Sequence, residues 1–372
     1  MTVHIISKIS EFARFQHQWD LLAGGEFRFF PQFTDVYDYC LTNGRQFRLI
    51  VAEREQAVQA IACFVLGKAR RGIWLGERRV LDLPVNQAVL QGSAMLGAPD
   101  ATLAAAMLDL ILTDPEVDLV ELGDVDKASG LYAAARQWRW KWLKRETEWR
   151  TVRRMIVLPA TFRDYLASLR SHARKGVTRD QRIFAKLDPE FRVMTRPGEM
   201  GQFLADATRL GDKTYQAGAA FGIDASDWRR HMLETKAEHG KLVAFLAYVN
   251  GNPCAFCWGE ISYDVFYFRH TGYDPAYRRY CPGTAILLNV IEHLITNRIC
   301  ARFDFGIRDM PYKERFATHS IACANIVLAN CLRPSAALVV ALERLIASAK
   351  PLLLRLVGGP AGLQKIKKIM RR

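Results

Sequence analysis

The strongest constraint on the fold of this chain is the order of elements between Tyr263 and Phe316. An aromatic run that reads as a strand leads into a turn, and Pro282 then opens a stretch whose apolar residues recur at helical spacing. Proline is well tolerated in the first helical turn, because its missing N–H would have no partner there. A short apolar segment around Phe303 follows. This order predicts a strand-to-helix junction with a second strand after the helix.

The start of this predicted helix is a candidate phosphate site. Gly283, Thr284 and Ala285 place backbone N–H groups in the first turn, where we expect them to lack helical acceptors and where the helix dipole favours negative charge. Arg278 and Arg279, in the preceding turn, are candidates for charge-assisted bonds to the same phosphates. For the two arginines, the alternative is a solvated turn without a ligand.

The same segment resembles the GNAT-fold acetyltransferases, in the branch grouped with cellulose-biosynthesis proteins (the CelD/BcsL type) and related to the FemABX aminoacyl transferases. Gly283 and Ala285 match the family's phosphate-binding step, whereas Tyr280 replaces its usual Gln or Arg. The resemblance implies acetyl-CoA or another acyl-CoA as the donor. The motifs that carry it are Gly272-Tyr273-Asp274-Pro275, Pro282-Gly283, Phe303-Asp304-Phe305-Gly306 and Tyr312-Lys313-Glu314-Arg315-Phe316.

Length and patterning predict two domains. The 372 residues are enough for two cores, and 50% apolar with 24% charged residues is ordinary for a globular protein. Strand and helix patterns alternate in both halves, which predicts α/β layering. With the resemblance, we expect two tandem GNAT-like domains, each a mixed, mostly antiparallel sheet flanked by helices. The predicted divisions are 1–159 (without the phosphate-binding glycine step), 160–332 (binding acyl-CoA) and 333–372 (a basic amphipathic helical tail).

Three local predictions accompany this division. Asp100 is expected to cap a helix over 101–112. Residues 162–187 are expected to be helical with a break near Gly176. Residues 242–249 and 255–261 are expected to form a hairpin that turns at Asn250-Gly251.

The candidate catalytic residues follow from the needs of acyl transfer, in which an acceptor is deprotonated and developing negative charge is stabilised. Lys313 is a candidate for stabilising that charge and Tyr312 for protonating the leaving thiolate; both are predicted in a loop after a buried strand. Asp304 is a candidate base, or a structural partner of Arg302 or Lys313. His270 titrates in the useful range, with a packing role as the alternative.

The net charge of +14 indicates an anionic partner. Residues 136–154 carry eight Arg and Lys against two Glu, and residues 163–196 carry nine against four acidic residues. Lys175 and Arg179 are candidates, with Tyr273, for binding an anionic or sugar-type acceptor. Lys175 and Arg179 share one predicted helix face with Arg182 and Lys186. The alternative is that this face is exposed to solvent and binds no ligand.

Composition also suggests a compartment. The eight cysteines lie mostly in apolar runs, which favours reduced thiols in the cytoplasm. Cys254 and Cys257 form a C-x-x-C pair that reads as core packing, so no metal is expected. No spanning helix is expected. The basic tail is a candidate contact with an anionic membrane surface on its inner face.

Three functions are consistent with these patterns. The first is an acyl-CoA-dependent N- or O-acetyltransferase that acts on a sugar, a polysaccharide precursor or another envelope-related acceptor. The second is a FemABX-like transferase that uses aminoacyl-tRNA, the one reading in which a nucleic acid is a partner. The third is a non-catalytic scaffold at the membrane surface, if Tyr280 and Pro282 abolish binding of CoA.

Overall fold

The residues group into two compact units, namely 1–149 with 323–372, and 150–322. The sequence predicted divisions at 159/160 and 332/333, whereas residues 150–159 group with the second unit and residues 323–332 with the first. The structure, a computed structural model, describes residues 1–24, 31–75, 78–137, 142–147, 152–213, 225–306, 310–330 and parts of 332–348, with the backbone alone for 72–75, 78–82 and 142–147.

The first unit is a mixed sheet flanked by helices. Its described strands are β1 Thr2–Ile6, β2 Phe47–Arg54, β3 Ala57–Leu75, β4 Arg78–Leu90, β5 Leu119–Asp126, β6 Trp142–Thr147 and the second part of β13 His319–Asn330. Its described helices are α1 Ile9–Phe12, α2 Gln16–Ala23, α3 Phe33–Thr42, α4 Ala101–Thr113 and α5 Gly130–Arg136. The order is β1-β2-β3-β4-β5-β13, with β6 also on β13. Neighbours are antiparallel except β4 and β5, which are parallel and joined through α4.

The core of the first unit lies between its sheet and helices α4 and α5. Leu108 and Ile111 of α4 are fully buried against strand residues such as Ile50 and Phe64. The predicted cap of α4 is confirmed, since the Asp100 carboxylate accepts the Leu103 N–H at 2.8 Å.

The second unit repeats this plan. Its described strands are β7 Val152–Val157, β8 Glu190–Met194, β9 Leu242–Val249, β10 Asn252–Ser262, β11 Val265–Tyr273, β12 Arg302–Asp304 and the start of β13. Its described helices are α6 Phe162–Ser168, α7 Ser171–Ala185, α8 Met200–Asp212, α9 Asp227–Glu238, α10 Pro282–Thr296 and α11 Pro311–Phe316. The order is β13-β7-β12-β11-β10-β9-β8, and β11 and β12, joined through α10, are the parallel pair. The predicted fold class, two mixed and mostly antiparallel sheets flanked by helices, is confirmed.

Two apolar layers cover the second sheet. On one face α6, α7, α10 and α11 pack over Phe245, Phe266 and Phe303. On the other face α8 and α9 pack over Phe256 and Trp258. The sheet therefore separates an α10 side from an α8 side.

The local predictions for this unit were partly right. Strands β9 and β10 form the expected hairpin, with Asn250 and Gly251 both at positive φ. The expected break near Gly176 was wrong, because α6 and α7 separate at Leu169 and Arg170, whereas Gly176 lies inside α7.

The predicted tail begins as a helix that packs on the first unit. Ala336, Val339 and Val340 are fully buried with Leu119 and Val327. Leu338 and Leu345 of the same segment are exposed, so its apolar residues do not all face the core. The basic residues of the tail's end lie outside the described residues. Within the described part of the chain, no helix has the length and apolar character needed to cross a bilayer.

Candidate functional site

Helix α10 begins at a close approach between strand and helix. Cys281, the residue before it, lies in the left-handed region at φ 59°, and Pro282 takes the first helical position. Gly283 faces the ring of Tyr273 at the end of β11, where an added Cβ would lie 3.3 Å from the ring atom Cδ1. Glycine therefore allows β11 and the first turn of α10 to approach this closely.

Of the three backbone N–H groups that were predicted to bind a phosphate, one remains available. The N–H groups of Thr284 and Ala285 donate to the Cys281 carbonyl at 3.1 and 3.2 Å, so the expectation that they are free was wrong. The residue before a helix supplies its first acceptor, which explains both bonds. The Gly283 N–H has no backbone acceptor in the part of the chain that the structure describes.

A buried carboxylate lies beside this helix start. Asp180 of α7 is 3% exposed. Its Oδ2 accepts from Arg315 Nη2 at 2.8 Å and from Thr284 Oγ1 at 3.4 Å, and its Oδ1 accepts from Arg179 Nη2 at 3.0 Å. Sequence reasoning missed Asp180 and Arg315. The available signal was that Asp180 is the one carboxylate in the basic sequence of α7.

The parallel strands of the second unit separate near this helix. Strand β12 pairs with β11 from Val265 to Tyr267 and ends at Asp304, whereas β11 continues to Tyr273. Among the described residues, no strand pairs with this side of β11 beyond Tyr267. We call this stretch, residues 268–273, the open edge of β11. It offers backbone donors and acceptors to an extended ligand.

Lys313 and Tyr312 lie on helix α11 rather than in the predicted loop, and both contact Phe305, the residue after β12. Pro311 at the first helical position begins that helix. Lys313 is 5% exposed, and its Nζ donates to the Phe305 carbonyl at 2.7 Å. The Tyr312 ring meets the Phe305 ring edge-on, with centroids 6.4 Å apart. The hydrogen bond holds a buried ammonium directly after β12, where an isolated charge would be costly.

Asp304 is held by a partner that the sequence did not indicate. Its Oδ2 lies 2.6 Å from Arg153 Nε, with side chains that are 1% and 7% exposed. Its Oδ1 accepts the Gly306 N–H at 2.7 Å. Phe303 and Phe305 belong to the α10-side core, so Asp304 points to the other face of the sheet.

His270 also faces the α8 side. A bulge shifts the register of β10 and β11, so that Trp258 pairs with His270 but Gly259 pairs with Phe268. The His270 ring stacks on Trp258 with centroids 5.7 Å apart. Burial, followed by the charges of Arg229 and Arg269, lowers the pKa of His270 below its ordinary value of 6.5. The imidazole is therefore neutral at pH 7 and able to accept a proton.

The predicted residues thus form two groups. The first group is on the α10 side and consists of Gly283, Thr284, Ala285, Tyr273 and Arg179 at the start of α10, with Tyr312 and Lys313 beside Phe305. The second group, Asp304 and His270, faces the α8 side. The remaining basic candidates, Lys175, Arg278 and Arg279, are exposed.

The described residues contain no cluster of three or more His, Cys, Asp or Glu side chains arranged to hold a metal ion. Cys254 and Cys257 are both fully buried in β10. Burial is the main cause that raises the pKa of the Cys254 thiol, to about 12. Both thiols lie in the apolar core on the α10 side of the sheet, which fits the predicted packing role.

Comparisons with known proteins agree with this geometry. Residues 171–314, from the start of α7 into α11, match the family model described as Acetyltransferase (GNAT) domain. The crystal structure of FemX is similar to the chain, with a TM-score of 0.61 and 12% identity over 91% of this chain and 100% of that one. A conserved protein of unknown function from Bacteroides thetaiotaomicron is also similar, with a TM-score of 0.53 and 13% identity over 88% of this chain and 100% of that one.

A comparison with curated protein sequences gives no match. At these identities the similar structures show the fold alone. Any statement about the chemistry of this chain therefore depends on the match to the family model. Its match spans both α10, with the Gly283 first turn, and the open edge of β11. The second unit of this chain therefore contains a match to the GNAT acetyltransferase domain.

Proposed function

We propose that this protein transfers an acyl group from acyl-CoA to an amine or hydroxyl of a sugar-type acceptor. The observation that carries the proposal is the α10 start, with its available Gly283 N–H, beside the open edge of β11, inside the segment that matches the GNAT model. The exposed Arg278 and Arg279 support it with positive charge in the 3-10 helix Pro275–Tyr280 that precedes α10.

The shape of the donor fits this arrangement. A coenzyme A thioester joins a pyrophosphate to an extended arm that contains two amides. The pyrophosphate binds at the first turn of α10, where the helix dipole favours an anion. The amides of the arm bond to the open edge of β11 as an added strand does. The thioester is thereby directed toward the gap between β11 and β12.

Residues on both sides of that gap supply the chemistry. Neutral His270 takes the proton of the acceptor as its nitrogen or oxygen attacks the thioester carbon. The Lys313 ammonium stabilises the oxyanion that forms. When the C–S bond breaks, the Tyr312 hydroxyl protonates the thiolate of CoA. Asp304, doubly hydrogen-bonded, positions the chain after β12 rather than acting as a base.

The acceptor side of the proposal rests on charge and on the tail. Exposed Lys175 and Arg179, with Tyr273, suit an anionic or sugar-type acceptor such as a polysaccharide precursor. We place the reaction in the cytoplasm, with the basic tail at the inner face of an anionic membrane.

Release of free CoA thiol tests this function. Acetyl-CoA and longer acyl-CoAs are incubated with amino sugars or nucleotide sugars, using the wild type and Lys313→Met, and an aminoacyl-tRNA arm runs in parallel. We expect thiol release that requires both acceptor and Lys313. Transfer from aminoacyl-tRNA without any from acyl-CoA would show that aminoacyl-tRNA is the donor. No transfer from either donor would favour the third function, a non-catalytic scaffold.

A further inference from the structure

A basic cavity lies between α7 and α11 of the second unit. It measures about 440 Å³ and is lined by His172, Lys175, Gly176, Arg179 and Arg315. Its position beside the α10 start follows from Asp180, which contacts both arginines of the cavity and the Thr284 hydroxyl of α10.

The two arginines of this cavity are held in place. Burial by itself raises the pKa of the Asp180 carboxyl, but hydrogen bonds and charge from Arg315 and Arg179 outweigh it and bring the pKa below its ordinary value of 3.8. The carboxylate therefore stays ionised and anchors both guanidinium groups. Anchored arginines lose less side-chain freedom when they bind an anion.

Gly176 makes room for one of them. It lies inside α7, where glycine costs about 1 kcal/mol relative to alanine. An added Cβ would lie 3.3 Å from Arg315 Nη2, which is tighter than an ordinary contact. The glycine lets the Arg315 guanidinium lie against the helix and form the wall of the cavity.

The cavity holds more positive than negative charge. Lys175 is exposed, and it has no ion-pair partner among the described residues. The ion pairs of Arg179 and Arg315 within the described residues both go to Asp180, so the cavity lining carries three cations of which two share one carboxylate. Forked guanidinium donors beside an ammonium suit the tetrahedral oxygens of a dianion.

We propose that this cavity binds a terminal phosphate monoester. Because it lies beside the first turn of α10, one source is the 3′-phosphate on the ribose of CoA, and the other is a phosphorylated acceptor. The choice between the sources rests on the proposed function, whereas phosphate binding at this site does not.

Two titrations test the proposal. Inorganic phosphate is titrated calorimetrically, at constant ionic strength, into the wild type, Lys175→Gln, Arg315→Gln and Arg298→Gln. Arg298 is the charge-matched control, since it follows the far end of the 15-residue helix α10, about 20 Å from its start. CoA and 3′-dephospho-CoA are then compared on the same proteins. Lys175 is exposed, so its variant tests the site even if Arg315→Gln is unstable.

We expect saturable phosphate binding that weakens roughly tenfold in Lys175→Gln and stays unchanged in Arg298→Gln. If the wild type prefers CoA to dephospho-CoA about tenfold and Lys175→Gln loses that preference, the donor supplies the phosphate. If both CoA forms bind alike while phosphate binding still depends on Lys175, the acceptor supplies it. Binding that is not saturable, or that weakens equally in Arg298→Gln, overturns the proposal. Absence of any CoA binding counts against the proposed function alone.

Discussion

The two units contain the same strand, helix and strand crossover, but the two helix starts differ. In the first unit, Asp100 caps α4 with its own carboxylate, and an added Cβ on Gly130 of α5 would lie 2.2 Å from the Pro99 carbonyl oxygen. In the second unit, Cys281 precedes α10 without a side-chain cap bond, and Gly283 faces the Tyr273 ring.

The difference shows that glycine serves two purposes in similar crossovers. Gly130 lets α5 pack onto the start of α4, which closes that helix start to a ligand. Gly283 lets β11 approach α10 while its own N–H stays available. A ligand site therefore depends on what covers the helix start, and the crossover by itself does not create one.

The largest effect is expected from breaking a buried ion pair, with one pair compared in each unit. Asp304→Ala leaves the Arg153 charge buried, which costs about 3–5 kcal/mol in the free energy of unfolding. Asp114→Ala is expected to cost less, because Asp114 is more exposed than Asp304 and the half-exposed Glu116 also pairs with Arg48. Urea unfolding of both variants measures the two losses. An equal or larger loss in Asp114→Ala would contradict the role given to the Asp304 pair.

The next effect is confined to catalysis in the second unit. Lys313→Met is expected to lower kcat by about 10²–10³-fold with little change in KM for the donor, as when a donor to the oxyanion is removed. Lys68→Met, at an exposed position of β3 in the first unit, is the control and is expected to leave both constants unchanged. A rise in KM alone would show that Lys313 contributes to substrate binding and does not selectively stabilise the transition state.

Removing the cap of α4 sharpens the comparison further. Asp100→Ala exposes an unpaired N–H at Leu103 and is expected to cost about 1 kcal/mol of stability. Acyl-CoA affinity should stay the same, since this helix start holds no ligand. Thermal unfolding with and without acetyl-CoA measures both. A gain or loss of affinity in this variant would place part of the donor site in the first unit.

The smallest effect is a dependence of stability on pH. The pKa of His270 is lower in the folded state than its ordinary 6.5, so the unfolded chain binds the proton more readily as the pH falls below 6.5. The free energy of unfolding should therefore decrease with falling pH through this window, and His270→Gln should flatten that slope. His293→Gln is a useful comparison, since burial lowers the pKa of His293 as well. An unchanged slope in His270→Gln would mean that His270 titrates normally.

Much of the fold followed from local patterns. Pro282 and the apolar spacing after it predicted α10, Asn250-Gly251 predicted the β9–β10 turn, and Asp100 predicted the cap of α4. These signals depend on interactions between residues close in sequence, so they can be recognised from a single sequence.

The site was harder to predict because its contacts join distant residues. Asp180 and Arg315 are 135 positions apart, and Arg153 and Asp304 are 151 apart. The bulge that turns His270 toward Trp258 depends on strand register, which the alternation of residues did not show.

Calorimetric titration of acetyl-CoA into the wild type, Gly283→Glu and Asp100→Ala tests the central claim most directly. The account predicts saturable binding to the wild type and Asp100→Ala, and a loss of about 100-fold in Gly283→Glu, because its carboxylate repels the pyrophosphate at the α10 start. Melting curves confirm that each variant is folded. Equal binding by Gly283→Glu, or no binding by the wild type, would contradict the assignment of the donor site to the start of α10.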